Sequence, residues 1–165
     1  MLTQPVLHTD YEVISTHGVA EVRFYLSNHQ HALHAIQNFK SGDIISRFSA
    51  AAILKEPTFL TVQRSDEEHI HLSPDFLKYC NHSCNPSVFF DTETLEVIAI
   101  KDIAIGDELV FFYPSAEWDM AQPFDCFCNS ANCLHTIKGA RHLPIPIIQQ
   151  YRLTRFIQQK ISEAQ

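Results

Sequence analysis

The sequence has no excess of positive charge. Its 165 residues include 12 Lys and Arg against 19 Asp and Glu, which gives a net charge of −7 with neutral histidines. Proteins held to nucleic acid through its phosphates are normally basic, so we expect no direct contact with nucleic acid. A negative net charge suits a cationic partner better, and it also favours solubility.

Long apolar runs and internal repeats are absent too. No stretch of 18 apolar residues occurs, so we expect no membrane-spanning helix and no membrane partner. Residues 1–5 carry neither the basic nor the apolar part of a secretory signal, so we expect a cytoplasmic or nuclear protein. The length and the 45% of hydrophobic residues predict one folded domain.

Short strands separated by turns are predicted along most of the chain. Lys40-Ser-Gly-Asp and Ile105-Gly-Asp are typical of tight turns, and an apolar run follows each. Two further apolar runs flank residues 91–94, as in a hairpin. The predicted strands are 21–26, 44–48, 88–90, 95–100 and 109–113. This pattern predicts a mostly β fold.

The C-terminal region differs from the rest because its apolar residues have helical spacing. Leu153, Phe156, Ile157 and Ile161 lie on one face of a helix. Pro146 suits the beginning of a helix, where a missing N–H costs nothing. We predict a helix over residues 147–163 that packs on the body of the domain. A helix that binds a partner is the alternative.

The cysteines are grouped as in a metal site. Cys126, Cys128 and Cys133 form a C-x-C-x4-C pattern, so three thiolates can converge on one ion from a single loop. Tetrahedral zinc needs a fourth ligand, which either Cys84 or Cys80 could supply. Thiolate ligands favour zinc or an iron–sulfur cluster, and zinc is the simpler choice for a closed site. Buried free thiols are the alternative.

Three motifs resemble those of SET-domain protein lysine methyltransferases. Residues 81–86, Asn-His-Ser-Cys-Asn-Pro, resemble the N-H-S-C-x-P motif of that family. Residues 106–113 are similar to its G-[DE]-E-L-x-F-x-Y motif, and residues 126–133 to its post-SET zinc loop. The motifs occur in the family's order and spacing, and the resemblance covers roughly residues 20–139.

The resemblance implies a particular fold and division of the chain. SET domains consist of small β-sheets with a pseudoknot, in which the N-H-S-C segment threads beside the E-L-x-F-x-Y segment. The expected parts are an N-terminal segment at 1–19, the SET domain at 20–120, the post-SET zinc-binding loop at 121–139, and the C-terminal helix at 140–165.

The resemblance also implies an activity and a set of site residues. The activity is transfer of a methyl group from S-adenosylmethionine (SAM) to a lysine amine of a basic, histone-like protein or peptide. Tyr113 matches the residue at the methyl-transfer centre, Phe111 lines the lysine channel, and Cys84 rather than Cys80 completes the zinc site. Phe instead of Tyr at position 111 favours di- or trimethylation. The predicted catalytic residues are Tyr113, Phe111 and His82, and the predicted cofactor-binding residues are Asn81, His82, Lys78, His31, Ala32 and Leu134.

One motif of the family is replaced. Relatives carry G-x-G where this chain has Gln30-His31-Ala32, which adds side chains where the backbone approaches the cofactor. His29 and His34 lie beside the replaced motif, and His69 and His71 share one face of a predicted strand. Two alternatives therefore stand beside lysine methylation. One is a small-molecule enzyme on a SET scaffold, with a changed cofactor or a second metal, and the other is a catalytically silent binding module.

Overall fold

Short β-strands in small sheets dominate residues 10–165, the part of the chain that this computed structural model describes. The strands are β1 Tyr11–Thr16, β2 Ala20–Tyr25, β3 Gln30–Ala35, β4 Ile44–Arg47, β5 Ser49–Leu54, β6 Thr61–Gln63, β7 His69–Ser73, β8 Asn81–His82, β9 Val88–Asp91, β10 Glu96–Ala99, β11 Val110–Phe111, β12 Phe124–Asp125 and β13 Thr136–Ile137. Three sheets have three strands each, in the orders β1-β2-β3, β4-β10-β9 and β5-β7-β6, and two have two strands, β8-β11 and β12-β13. The mostly β fold is therefore confirmed.

Most of the predicted strands and both turns are found. The antiparallel pairing of β9 with β10 is the hairpin expected around residues 91–94. Gly42 and Gly106 occupy the two turns with φ of 97° and 92°, a conformation that residues with a side chain rarely adopt. The strand expected over 109–113 is shorter than predicted. It ends at Phe111 because the chain enters a 3-10 helix over Tyr113–Ser115, where proline fixes the backbone.

The parallel pair of β8 and β11 joins the two SET-like motifs. Asn81 lies opposite Val110 and His82 opposite Phe111. The backbone N–H of Ser83 continues the ladder by donating to the carbonyl of Phe111 at 3.0 Å. The predicted threading of one motif beside the other is therefore confirmed at the level of the backbone.

Three apolar cores occur among the described residues, and the one beside the cysteine group consists of Cys84, Cys126 and Ile137. The largest core lies between the three-stranded sheets and contains the fully buried Val22, Leu33, Ile70 and Phe90. Another core lies under the C-terminal region and is built on Phe112, Ile148 and Ile157. Since Phe112 directly follows β11, the C-terminal region packs against the back of the paired motifs.

The predicted C-terminal helix is interrupted, which corrects the continuous helix expected over 147–163. The structure has α1 at Ile145–Ile148 and α2 at Arg155–Glu163, and Leu153 lies between them. The physical reason is a fresh helix start at Thr154, whose side chain accepts a hydrogen bond from the N–H of Ile157. The residues between the helices are thereby free to turn toward the body.

The N-terminal part of the chain joins the first sheet. Residues 1–9 of the predicted N-terminal segment, 1–19, lie outside the described residues. β1 belongs to the same segment, yet it pairs with β2, which lies within the predicted SET domain. The domain limits stay a prediction. Among residues 10–165, no helix combines the length and the apolar character needed to cross a membrane.

Gly139 gives a stability prediction. Its φ is 117°, and a Cβ there would lie 2.6 Å from the carbonyl oxygen of Trp118. We expect Gly139→Ala to lower the free energy of unfolding by roughly 2–4 kcal/mol, through backbone strain and a clash with rigid main chain. Urea denaturation measures this. Gly18→Ala is the matched control, because a Cβ at Gly18 meets nothing within 4 Å. Equal midpoints for the two variants would contradict the structure.

Candidate active site and metal centre

A cavity of about 490 Å³ opens beside the paired motifs. Its walls come from the end of β11, the segment before and including β8, residues 58–62, and the linker and loop over residues 120–128. The predicted site residues among its lining are Lys78, Asn81, His82, Phe111, Tyr113, Cys126 and Cys128, whereas His31, Ala32 and Leu134 are not part of its wall. The structure therefore brings the predicted catalytic residues together at one cavity.

His82 links the cavity to the cysteines. Its Nδ1 accepts the backbone N–H of Tyr113 at 3.2 Å, so in the neutral ring the proton is on Nε2. Nε2 lies 3.4 Å from Sγ of Cys84 and is oriented to donate to that sulfur. Burial lowers the pKa of His82 to about 4, so the ring is neutral at physiological pH. His82 is thus a fixed hydrogen-bonding group and not a charge in the cavity.

Tyr113 presents a protonated hydroxyl among aromatic rings. The hydroxyl donates to the backbone carbonyl of Cys80 at 3.2 Å. Burial, with smaller contributions from nearby negative charges, raises the pKa of Tyr113 above its ordinary value. The ring of Phe111 lies 4.6 Å from that of Tyr113 and 4.5 Å from that of Phe90, measured between centroids. Because an apolar wall cannot replace the water around a charged group, it favours a neutral ligand group over a charged one.

Asn81 ties the replaced G-x-G segment to the paired motifs. Its Nδ2 donates to the carbonyl of His31 at 2.8 Å and to a carboxylate oxygen of Glu108 at 3.1 Å. The ring of His31 stacks on Tyr79 with centroids 5.0 Å apart. Ala32, 4% exposed, is packed inside strand β3. Neither residue 30 nor residue 32 has a positive φ, so the lost glycines are not needed for the backbone conformation here.

The four predicted metal ligands come together. One ligand atom from each of Cys84, Cys126, Cys128 and Cys133 lies within 4.8 Å of all the others. Four converging thiols fit the tetrahedral, sulfur-rich coordination that structural zinc prefers. Cys80 is elsewhere, with its buried thiol directed at the carbonyl of Leu109. The geometry thus agrees with Cys84, and not Cys80, as the fourth member of the group.

The histidines near the replaced motif do not form a second cluster. His34 uses both ring nitrogens in hydrogen bonds, to the hydroxyl of Tyr25 at 3.0 Å and to the carbonyl of Gly106 at 2.9 Å. His69 is buried in β7, and its Nδ1 has no hydrogen-bond partner. In the part of the chain that the structure describes, only the cysteines bring three or more metal-ligating side chains together.

Two residues at the site were missed by sequence reasoning. Tyr151 stacks face to face on Phe112, with centroids 3.6 Å apart, and its hydroxyl donates to the carbonyl of Cys84 at 2.9 Å. Glu117 is a buried carboxyl in the cavity wall. Neither belongs to a motif. The available signal for Glu117 was its position one helical turn after Tyr113.

Comparisons with known proteins agree with the geometry. The family model described as SET domain matches residues 27–114. A protein of Aspergillus flavus named Methyltransferase flvH is 41% identical over 127 residues, which cover 76% of this chain and 71% of that protein. A histone-lysine N-methyltransferase of Chaetomium globosum, H3 lysine-36 specific, is 29% identical over 108 residues, or 58% of this chain and 12% of that protein.

A solved structure matches at the level of the fold. The crystal structure of KRYPTONITE in complex with mCHG DNA and SAH superimposes with a TM-score of 0.51 and 17% identity. The match covers 64% of this chain and 26% of that one, so this chain corresponds to a small part of the larger protein.

The cysteine group gives a prediction about metal content. We expect the purified protein to carry one zinc ion per chain, and Cys133→Ser to lose that zinc and to unfold at a lower temperature, because metal binding contributes to folding. Elemental analysis and thermal denaturation measure the two effects. Cys80→Ser is the control, since a serine hydroxyl can replace the thiol that faces Leu109. Full zinc occupancy in Cys133→Ser would exclude this residue as a ligand.

Proposed function

Because this chain belongs to the SET domain family of methyltransferases, we propose that it transfers a methyl group from SAM to a lysine amine of a basic protein or peptide. The observation that carries the proposal is the meeting of Asn81 and His82 with Phe111 and Tyr113 at one cavity. These residues match the family's two motifs, and the pairing of β8 with β11 holds them in fixed positions.

The residues beside β8 fit the chemical groups of SAM. Lys78 pairs with Asp75 and has further N–H groups for a second carboxylate, and the stacked rings of His31 and Tyr79 offer flat faces for a purine. Asn81 adds an amide at the edge of the cavity. When bound, SAM supplies a methyl group that is strongly electrophilic, because it is attached to a positively charged sulfur. We infer that Lys78, Asn81, His82, His31, Ala32 and Leu134 form the region that holds it.

The chain's own residues then have to prepare the amine. A lysine amine has an ordinary pKa of about 10.4 and is charged in water. The aromatic wall of Phe111 and Tyr113 disfavours the charged form by removing its water. The hydroxyl of Tyr113 is held by the carbonyl of Cys80, and its lone pairs can accept a hydrogen bond from the amine. Orientation and exclusion of water are the main contributions expected of such a site.

A histone-like substrate is supported by charge and by the relatives. The net charge of −7 suits a basic partner. The Chaetomium globosum relative is named as acting on lysine 36 of histone H3. A substrate on chromatin would require the protein to reach the nucleus, which we propose as its location. The Aspergillus flavus relative is named only as a methyltransferase, so a small-molecule acceptor is tested alongside.

The decisive experiment follows labelled methyl groups. The protein is incubated with methyl-labelled SAM and either recombinant histone H3 or a protein-free metabolite extract, and SAM binding is measured by calorimetry. Label on histone lysines supports the proposal. Label only in the metabolite fraction supports the small-molecule alternative. SAM binding without transfer to either acceptor supports the silent module, and no SAM binding at all overturns methyl transfer.

Tyr113 is expected to matter for the reaction and not for cofactor binding. Tyr113→Phe removes the hydroxyl that orients the amine, so we expect kcat to fall by about 10²- to 10³-fold while SAM affinity is retained. Steady-state kinetics and calorimetry measure the two quantities. Tyr25→Phe is the control, because its hydroxyl contacts His34 away from the cavity wall. A Tyr113→Phe variant with unchanged kcat would contradict the proposed role.

Phe111 is expected to set the number of methyl groups. Phe111→Tyr adds a hydroxyl beside Tyr113, which takes up room and can hold the amine or an ordered water. We expect mass spectrometry to find mainly monomethyl product, where the native enzyme gives di- or trimethyl product. Phe127→Tyr is the control, because Phe127 is largely exposed at the cavity rim. Monomethyl product from the native enzyme would contradict the prediction.

A further inference from the structure

Glu117 is a carboxyl side chain that the fold buries. It is 7% exposed, and it follows the 3-10 helix that begins at Tyr113. Its own backbone is fixed on both sides, since its N–H donates to the carbonyl of Tyr113 and its carbonyl accepts the N–H of Ala140. Burial of a carboxyl costs free energy, so a buried carboxyl needs interactions that compensate for the lost water.

The backbone puts Glu117 and Tyr113 on the same side of the chain. The N–H of Glu117 donates to the carbonyl of Tyr113, four residues earlier, at 3.0 Å. Residues related in this way on a helical turn have neighbouring side chains. Both residues line the 490 Å³ cavity, together with Phe111. The carboxyl therefore faces the space where the proposed amine would lie.

One carboxyl oxygen is held and the other is available. Oε1 of Glu117 accepts the backbone N–H of Gln63 at 3.0 Å, and the side chain of Gln63 in turn accepts the N–H of Trp118. Among the described residues, no hydrogen bond to Oε2 is found. An acceptor without a protein donor, in the wall of a cavity, is a feature that a ligand with an N–H group would satisfy.

The charged groups around Glu117 do not supply that donor. On neighbouring segments, Lys78 pairs with Asp75 and Lys160 pairs with Asp66, at 2.7 and 2.9 Å respectively. Two residues after Glu117, Asp119 pairs with both Arg141 and His142. The other titratable groups of the cavity wall are Cys80, His82, Tyr113, Asp125, Cys126 and Cys128, and in the described residues none of them donates a hydrogen bond to Oε2 of Glu117.

We propose that Glu117 binds the ammonium group of the substrate in this cavity and accepts its proton before methyl transfer. The inference rests on the proposed amine methylation, and it adds the residue that prepares the nucleophile. In the proton step, one N–H bond of the ammonium breaks and an O–H bond forms at Oε2. The nitrogen keeps the electron pair and becomes the neutral amine, and Glu117 becomes a neutral acid that later returns the proton to water.

The acidity of Glu117 suits this step. Burial raises the pKa of Glu117 to about 8, although the hydrogen bond from Gln63 partly opposes the rise. In the empty cavity the carboxyl is therefore largely protonated at neutral pH. A cation that enters the cavity favours the ionised form, so binding should lower this pKa.

A binding experiment tests the contact without any catalysis. The probe is n-butylammonium chloride, which copies the end of a lysine side chain, and the readout is the NMR titration of isotope-labelled Glu117 in the full chain. We expect the probe to lower the titration midpoint from about 8 by one pH unit or more, which is a tenfold change in the acid constant. The neutral isostere n-butanol should leave the midpoint in place. A midpoint that n-butylammonium does not move overturns the contact.

A kinetic experiment tests the proton transfer. Glu117→Gln keeps an oxygen for the N–H of Gln63 and removes the base. At a pH of about 8, where the native carboxyl is half ionised, we expect kcat/KM to fall about tenfold or more. The native rate should level off above that pH, whereas the variant's rate should keep rising toward the amine pKa of about 10.4. Glu117→Asp should restore part of the native profile, and the exposed Glu67→Gln should behave as the native protein.

The results separate this inference from the proposed function. Methyl transfer with parallel pH profiles for the native protein and Glu117→Gln would overturn the proton step and leave the proposed function intact. A midpoint lowered by n-butylammonium in a protein that transfers no methyl group would retain the cation site and overturn the proposed function. Zinc content and thermal midpoint are measured for every variant, and a Glu117→Gln protein that has lost either one would instead mark Glu117 as structural.

Discussion

The parallel pairing of β8 with β11 is the constraint on which the site depends. Only two residues of each strand take part, and Asn81, His82 and Phe111 among them line the cavity themselves. Because a shift of one residue would turn each side chain of β8 to the other face of the pair, the register decides which side chains meet Tyr113. The bond from the Tyr113 N–H to His82 adds a side chain to the same ladder. So short a pairing needs support from elsewhere, and the rest of the structure provides it.

Much of that support converges on Cys84. Its thiol belongs to the cysteine group, and its carbonyl accepts hydrogen bonds from both Asn132 and Tyr151. Tyr151 also stacks on Phe112, the residue between β11 and the 3-10 helix. The segment after β8 is thus connected to the cysteine loop and to the C-terminal region at the same point. A metal ion bound by the four cysteines would hold these three segments together and would couple metal binding to the shape of the cavity.

The sequence predicted the parts that local rules determine. The β9–β10 hairpin, the glycine turns and the convergence of Cys126, Cys128 and Cys133 follow from turn chemistry and from spacing, whereas Cys84 as the fourth member was implied by the family resemblance. The break in the C-terminal helix could not be predicted in this way. The apolar residues of this region have helical spacing. Tyr151 nevertheless stabilises the fold more through its contacts with Phe112 and Cys84, which are distant in sequence, than it would inside a continuous helix. Tertiary contacts override a local periodicity in such cases.

The replaced glycines illustrate a second limit of sequence reasoning. Their loss suggested a damaged cofactor region, because glycine often marks a backbone that no side chain can accompany. In the structure, residues 30–32 are regular strand, and the carbonyl of His31 is bound by Asn81. The effect of a substitution depends on the local φ and on packing, and neither can be read from a motif. Glu117 was missed because no motif marks it. Its carboxyl becomes buried only when β6 and the linker after β11 come together in the fold.

The electrostatics of the cavity explain why a buried carboxyl can act on an amine at all. An ammonium with a pKa of about 10.4 would give its proton to an ordinary carboxylate only against a gap of about six pKa units. In the empty cavity the Glu117 pKa of about 8 narrows that gap to about two and a half units, and a fall of about one unit on cation binding still leaves it smaller than for an ordinary carboxylate. The aromatic wall narrows it further, because removal of water lowers the amine pKa. Glu117 is a cavity group whose charge can change near neutral pH, because burial raises its pKa to about 8. Burial, which destabilises the ionised carboxyl in the empty protein, is thus the same property that would make Glu117 a stronger base in the proposed proton transfer.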